Sequence, residues 1–143
     1  MKRIGVAVTL ASLVALVPLG SAWAAPSSMA THATLHVVSA YKSKAAFAHA
    51  MASAKLRYSN GDVFITVTAD HLPSAASVGK RAYVVYASDG AMTDRVGALK
   101  FSGAVAKVTG EVMMTKVADI YVYAESSAQN KHPHGIEVLA AMV

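Results

Sequence analysis

From Thr34 to Ala140 the chain consists of short β-rich runs cut apart by turn residues, with no amphipathic helix of useful length between them. The sharpest punctuation is Ser59-Asn60-Gly61-Asp62. Asn-Gly tolerates positive φ at both central positions, so it folds two flanking runs into a hairpin. The run after it, Val63 to Ala69, alternates: Val63, Ile65 and Val67 on one face, Phe64, Thr66 and Thr68 on the other. A period of two is what a strand with one buried face requires.

The same reading gives strands at Thr34–Ser39, Ala54–Tyr58, Arg81–Ala87, Val96–Phe101, Ile120–Ala124 and Gly135–Ala140. Ala45–Ala54 is ambiguous: its alanines favour helix, but any helix would be short, so a loop with one helical turn is expected. Pro73 ends the strand before it, because proline lacks the donor a continuing strand needs. Arg81–Ala87 is apolar on both faces and is expected in the middle of its sheet. Ser88-Asp89-Gly90, Ser102-Gly103 and Thr109-Gly110 read as turns. About seven strands, with turn signals roughly every 8 to 12 residues, predict an all-β fold of β-sandwich type.

Residues ahead of Thr34 carry a different signal. Lys2 and Arg3 lead into an uncharged apolar run from Ile4 to Val17, then Pro18 and Gly20, then Ala22-Trp23-Ala24. This is the layout of a secretory signal peptide. The run is about 14 residues, short of the roughly 20 a spanning helix needs. The expected organisation is a signal peptide at 1–24 cleaved after Ala24, a disordered leader at 25–33, and a single β-sandwich domain at 34–143. An uncleaved segment acting as an anchor is the alternative, and the only membrane attachment expected.

Lys+Arg number 13 against 8 acids, a net charge of +5 that falls to +3 without Lys2 and Arg3. The cations are scattered, with no basic groove interleaved with aromatics, so no nucleic-acid partner is expected. There are no cysteines. An exported chain without them must hold its fold by its core alone, and thiol nucleophiles, Fe–S clusters and blue-copper centres are excluded.

A series of short features runs through the domain in order: Leu72-Pro73, Gly79-Lys80, Tyr83-Val84-Val85-Tyr86-Ala87, Asp89-Gly90, Gly97-Ala98-Leu99, Tyr123-Ala124-Glu125 and Pro133-His134-Gly135. In this order the chain resembles the extracytoplasmic C-terminal domain of anti-sigma-K factors and its standalone relatives. It differs at Tyr86, where that family often has Trp, at Ser126, where it often has Pro, and at Ser127–Lys131, which replaces a Gly-Gly-Ser loop. The resemblance implies an immunoglobulin-like sandwich. It does not imply anti-sigma activity: only Met1-Lys2-Arg3 precedes the targeting stretch, too little surface to hold a folded partner, so no sigma factor is expected.

Few residues suggest chemistry. His132-Pro133-His134 offers two imidazoles in a polar loop, which with His32, His36 or the Met113-Met114 pair would suit copper. Strand neighbours face opposite ways, so at most one of Met113 and Met114 can join such a site, the other being core. No Gly-x-Ser-x-Gly elbow and no phosphate-cradling glycine loop occurs. Asp62, Asp89 and Asp94 read as turn residues, and Asp70 as a strand end. Glu125, at a strand end before the His132 loop, is expected to pin that loop by hydrogen bonds. Tyr121 and Tyr123 share a face, and Tyr86 opposes Tyr83, so two or three tyrosines can form a strip: cross-strand packing or a binding face. The expectation is an exported, non-enzymatic, cofactor-free domain with a structural, binding or sensing role in the cell envelope, its partner an envelope protein or glycan. The alternative is a periplasmic or secreted copper-binding protein using His132 and His134.

Overall fold

The structure, a computed structural model, describes residues 30–143. The expected signal peptide and most of the expected leader lie outside the described residues. Nine strands follow one another: β1 (Ala30–Val37), β2 (Met51–Ser59), β3 (Asp62–Asp70), β4 (Ala82–Ser88), β5 (Thr93–Ala98), β6 (Lys100–Ser102), β7 (Val105–Val112), β8 (Asp119–Glu125) and β9 (Ile136–Met142). All their pairings are antiparallel, in the order β5-β4-β8-β9-β1-β2-β3-β7-β6. The fold is all-β. Among the described residues no helix is long and apolar enough to cross a membrane.

Two stretches change partner and bend the sheet almost closed. β1 pairs with β2 from Ala30 to Leu35, then with β9 at His36 and Val37. The β5–β6 run pairs first with β4 and, past Leu99, with β7. β5 also crosses against β7, where Gly110 makes room: a Cβ there would collide with the Val96 carbonyl oxygen. The interior is filled by alternate residues of every long strand, among them Leu56, Val63, Ile65, Val67, Tyr83, Val85, Ile120, Val122 and Leu139, all buried. A helical turn at Ser39–Lys42 and 3-10 turns at Ala45–Phe47 and Ala75–Val78 pack against the sheet and place Phe47 and Ala75 in the same core, which Leu72 joins from the segment before the last turn.

The Asn60-Gly61 hairpin forms as its chemistry demands, with φ of 49° and 85° and Ser59 opposite Asp62. Several expectations are corrected. The strands number nine rather than about seven. β1 begins at Ala30, so Ala30–Ala33, expected in a leader, pair with Ala54–Arg57 of β2. Thr109-Gly110 is the interior of β7 and not a turn, because the glycine serves the crossing with β5. Asp94 lies within β5. Val96–Phe101 is not one strand but the end of β5, Leu99 between the strands, and the first two residues of β6. β4 is buried on both faces without being central: it lies next to the edge strand β5. Its outer face is covered by another part of the chain.

Candidate functional site

The cover is the segment from Ser126 to Gly135, which leaves the end of β8, folds back over the outer face of the sheet and enters β9. Glu125 ties it down. This carboxylate is 0% exposed, which is tolerable only where hydrogen bonds replace water. Asn130 Nδ2 donates to its Oε1 at 2.9 Å, the His134 N–H to its Oε2 at 3.1 Å, and the Tyr86 hydroxyl to the same Oε2 at 3.1 Å. Gly135 is required beside it, since a Cβ there would collide with the Ala124 carbonyl oxygen and meet Glu125 Oε1 at 3.0 Å.

Tyr86 stands at the centre of the strap. Its hydroxyl lies 3.2 Å from both the Asn130 and the His132 carbonyl oxygens as well as reaching Glu125. One phenolic proton thus faces three acceptors, two of them in the strap. Burial raises the Tyr86 pKa, and the Glu125 charge raises it further. Arg95, opposite Tyr86 on β5, donates from Nη2 to the Ala128 carbonyl at 2.6 Å, while its buried Nε has no partner among the described residues. The expected pinning of the loop by Glu125 is what the structure shows.

Beyond the strap the outer face stays open. Tyr121 lies opposite Tyr86 in the β4–β8 ladder. Tyr123 packs edge-on against both, with ring centroids 5.7 Å from Tyr86 and 6.3 Å from Tyr121. Tyr86 is covered, whereas Tyr121 and Tyr123 are only half-buried. Beside Tyr121 a groove of about 490 Å³ runs between β8, β9 and β1, bordered by Thr34, His36, Asp119, Ala140 and Met142. Burial and then the charges of Asp119 and Glu137 raise the Tyr121 pKa, while burial and then Glu137 raise that of Tyr123. Both carboxylates therefore lie within electrostatic reach of the rings. Aromatic area flanked by acceptors can stack on one part of a ligand and take hydrogen bonds from another.

The other singled-out residues fall elsewhere. His132 and His134 have exposed imidazoles and hold the strap through main-chain atoms, a carbonyl and an N–H. His32 and His36 lie on β1. Met114 is 5% exposed and belongs to the core, whereas Met113 is 81% exposed. Among the described residues no three or more His, Cys, Asp or Glu side chains come together as an ion would require. Asp89 occupies its turn as expected, with Oδ1 accepting from the Ala91 and Met92 N–H groups at 2.8 Å. Sequence reasoning missed Arg95 and Asn130. Arg95 comes opposite Tyr86 because the connection after Ser88 is four residues long, Asp89–Met92; counting from Asp89-Gly90 as a two-residue turn would have put Thr93 there, and no local signal marks Asn130.

No family model matches this chain, and no curated protein or solved structure is significantly similar to it.

Proposed function

We propose that this chain is an exported, non-enzymatic domain of the cell envelope that binds a glycan through the open half of its tyrosine face. The observation that carries this reading is the row of Tyr121 and Tyr123 beside the Asp119 groove, with Glu137 and His36 at hand. Rings supply apolar area at low entropic cost, and carboxylates accept from hydroxyl groups, a combination that suits a polyhydroxylated ligand. The proposed architecture is an immunoglobulin-like sandwich related to the anti-sigma-K C-terminal domain. Support comes from the two partner changes, at Leu35–His36 and Leu99, which divide the strands into two leaves. Export rests on the signal-peptide layout of residues 1–24, with cleavage after Ala24; no sigma factor and no nucleic acid is a partner. The metal reading of His132 and His134 gains no comparable support.

Two measurements test this. N-terminal sequencing of the native protein should begin at Ala25. Cosedimentation with purified peptidoglycan and with insoluble cellulose and chitin should retain the protein on at least one, and Tyr121→Ala should abolish retention while leaving the thermal midpoint close to that of the parent. Retention on none of them, or undiminished retention of Tyr121→Ala, refutes the glycan reading.

A further inference from the structure

The nearly closed sheet has one open seam. β5 pairs with β4 as far as Val84, and the Leu99 N–H still donates to the Tyr83 carbonyl at 2.9 Å. Past Leu99 the chain leaves β4 and, as β6, pairs with β7. The start of β4 and the whole of β6 therefore diverge. Between them lies a groove of about 420 Å³, with Tyr83, Leu99 and Phe101 among its lining and the Ala75–Val78 turn along one side. That volume is within the range of small-ligand pockets.

Phe101 identifies the groove as more than a surface dent. It stands opposite Ala106 in the ladder and so shares its face, and Ala106 is fully buried. Phe101 nevertheless remains 46% exposed. A phenylalanine on the core-facing side of a strand, half open to water, marks apolar surface that the described residues do not cover. Its ring lies 6.2 Å from that of Tyr83. The Tyr83 hydroxyl is tied to the Pro73 carbonyl at 2.7 Å, and its buried ring forms the apolar floor beneath Phe101.

The rim has one sign of charge. Lys80 and Arg81 line it. The acid opposite Ala82, Glu125, is buried and already serves Tyr86, Asn130 and His134.

We infer that this seam binds a medium-chain fatty carboxylate, its tail laid against Phe101, Leu99 and Tyr83 and its carboxylate held by Arg81 and Lys80. Arg81 supplies the planar fork that matches a carboxylate, and Lys80 a second charge. The inference is independent of the tyrosine face. The full chain is titrated calorimetrically with sodium octanoate, decanoate and dodecanoate, and with dodecyltrimethylammonium. The expected result is saturable one-to-one binding of the carboxylates, strengthening up to about fourfold per buried methylene, and none of the cationic amphiphile. Phe101→Ser should weaken decanoate roughly tenfold, and so should Lys80→Gln/Arg81→Gln, which alters only rim side chains and leaves the core intact. Equal binding of both amphiphiles, undiminished affinity in the charge variant, or binding to phosphatidylglycerol vesicles without binding of free decanoate would overturn the inference.

Discussion

Removing one oxygen from Tyr86 should loosen the strap without unfolding the sheet. In Tyr86→Phe the ring keeps its packing against Tyr123, but Glu125 Oε2 loses a donor and the Asn130 and His132 carbonyls lose the proton they share. A hydrogen bond to a charged group is worth roughly 1.5–3 kcal/mol, so the strap should weaken by about 2 kcal/mol. Every 1.4 kcal/mol or so is tenfold in an equilibrium, which makes opening of the strap about 30-fold more frequent. The His134 N–H, donating to Glu125 at 3.1 Å, reports this directly. Its native-state hydrogen exchange should accelerate by about that factor, while the amides of β2 and β3 change far less. Glu125→Ala, which strands three donors at once, should cost about 3–5 kcal/mol in urea unfolding. The double variant should cost about 1–2 kcal/mol less than the sum, because both changes remove the same bond. Unchanged exchange at His134, or strict additivity, would refute the claim that this pair holds the strap.

Three further outcomes follow from the same structure. Alkali should unfold the protein: burial pushes the Tyr83 hydroxyl up to about 12 and also raises that of Tyr86, from an ordinary 10.0. Their contribution is fully present below the unfolded value and is lost as pH rises through the folded ones, at up to about 1.4 kcal/mol per pH unit for each tyrosine; a urea midpoint that stays flat between about pH 10 and 12 would contradict this. Gly110→Ala and Gly135→Ala should each destabilise by about 3 kcal/mol or prevent folding, since each added methyl meets a main-chain carbonyl and not a yielding side chain; thermal midpoints within a degree or two of the parent would be incompatible. Met114→Ala should cost about 2–5 kcal/mol, and Met113→Ala less than about 0.5, as measured by urea unfolding.

What could be read from the residues was whatever a single strand or turn encodes by itself. Val63–Ala69 shows its period of two, and Asn60-Gly61 its tolerance of positive φ. The opposed faces of Tyr83 and Tyr86 follow from that period alone, whereas Met113 and Met114, one exposed and one buried as expected, lie just past the end of β7 and not in a strand. Glu125 was legible because a carboxylate ending an apolar strand needs donors, and the polar loop after it supplies them. β7 was hidden by Gly110, which looks like punctuation locally but serves a crossing with Val96 that exists only once the sheet has closed. The unbroken apolar run of β4 was visible, but its cause was not. A strand buried on both faces suggests the middle of a sheet, and nothing local distinguishes that from a strand near the edge with a strap over it.

The strap gives the two outer faces different meanings. On the outer face of β2, β3 and β7 the side chains pair with one another: Arg57 lies over the Phe64 ring at 4.9 Å, and the Thr66 and Thr109 hydroxyls meet at 3.0 Å. The face carrying β4 and β8 is treated otherwise. Over Tyr86 the chain lays a ten-residue cover from Ser126 to Gly135 and sinks a carboxylate to hold it, a costly arrangement if the purpose were only to hide apolar surface, since a leucine in place of Glu125 would need no donors. Tyr121 and Tyr123, continuous with Tyr86 by edge-on contacts, are left half open. A rigidly held ring at one end of the row fixes the orientation of the next, so under the proposed glycan reading the open tyrosines would form a preorganised surface that needs little ordering on binding. Loosening the strap with Tyr86→Phe should therefore weaken glycan retention as well as speed exchange at His134. If retention is lost on Tyr121→Ala but is untouched by Tyr86→Phe, the strap is a structural cover alone.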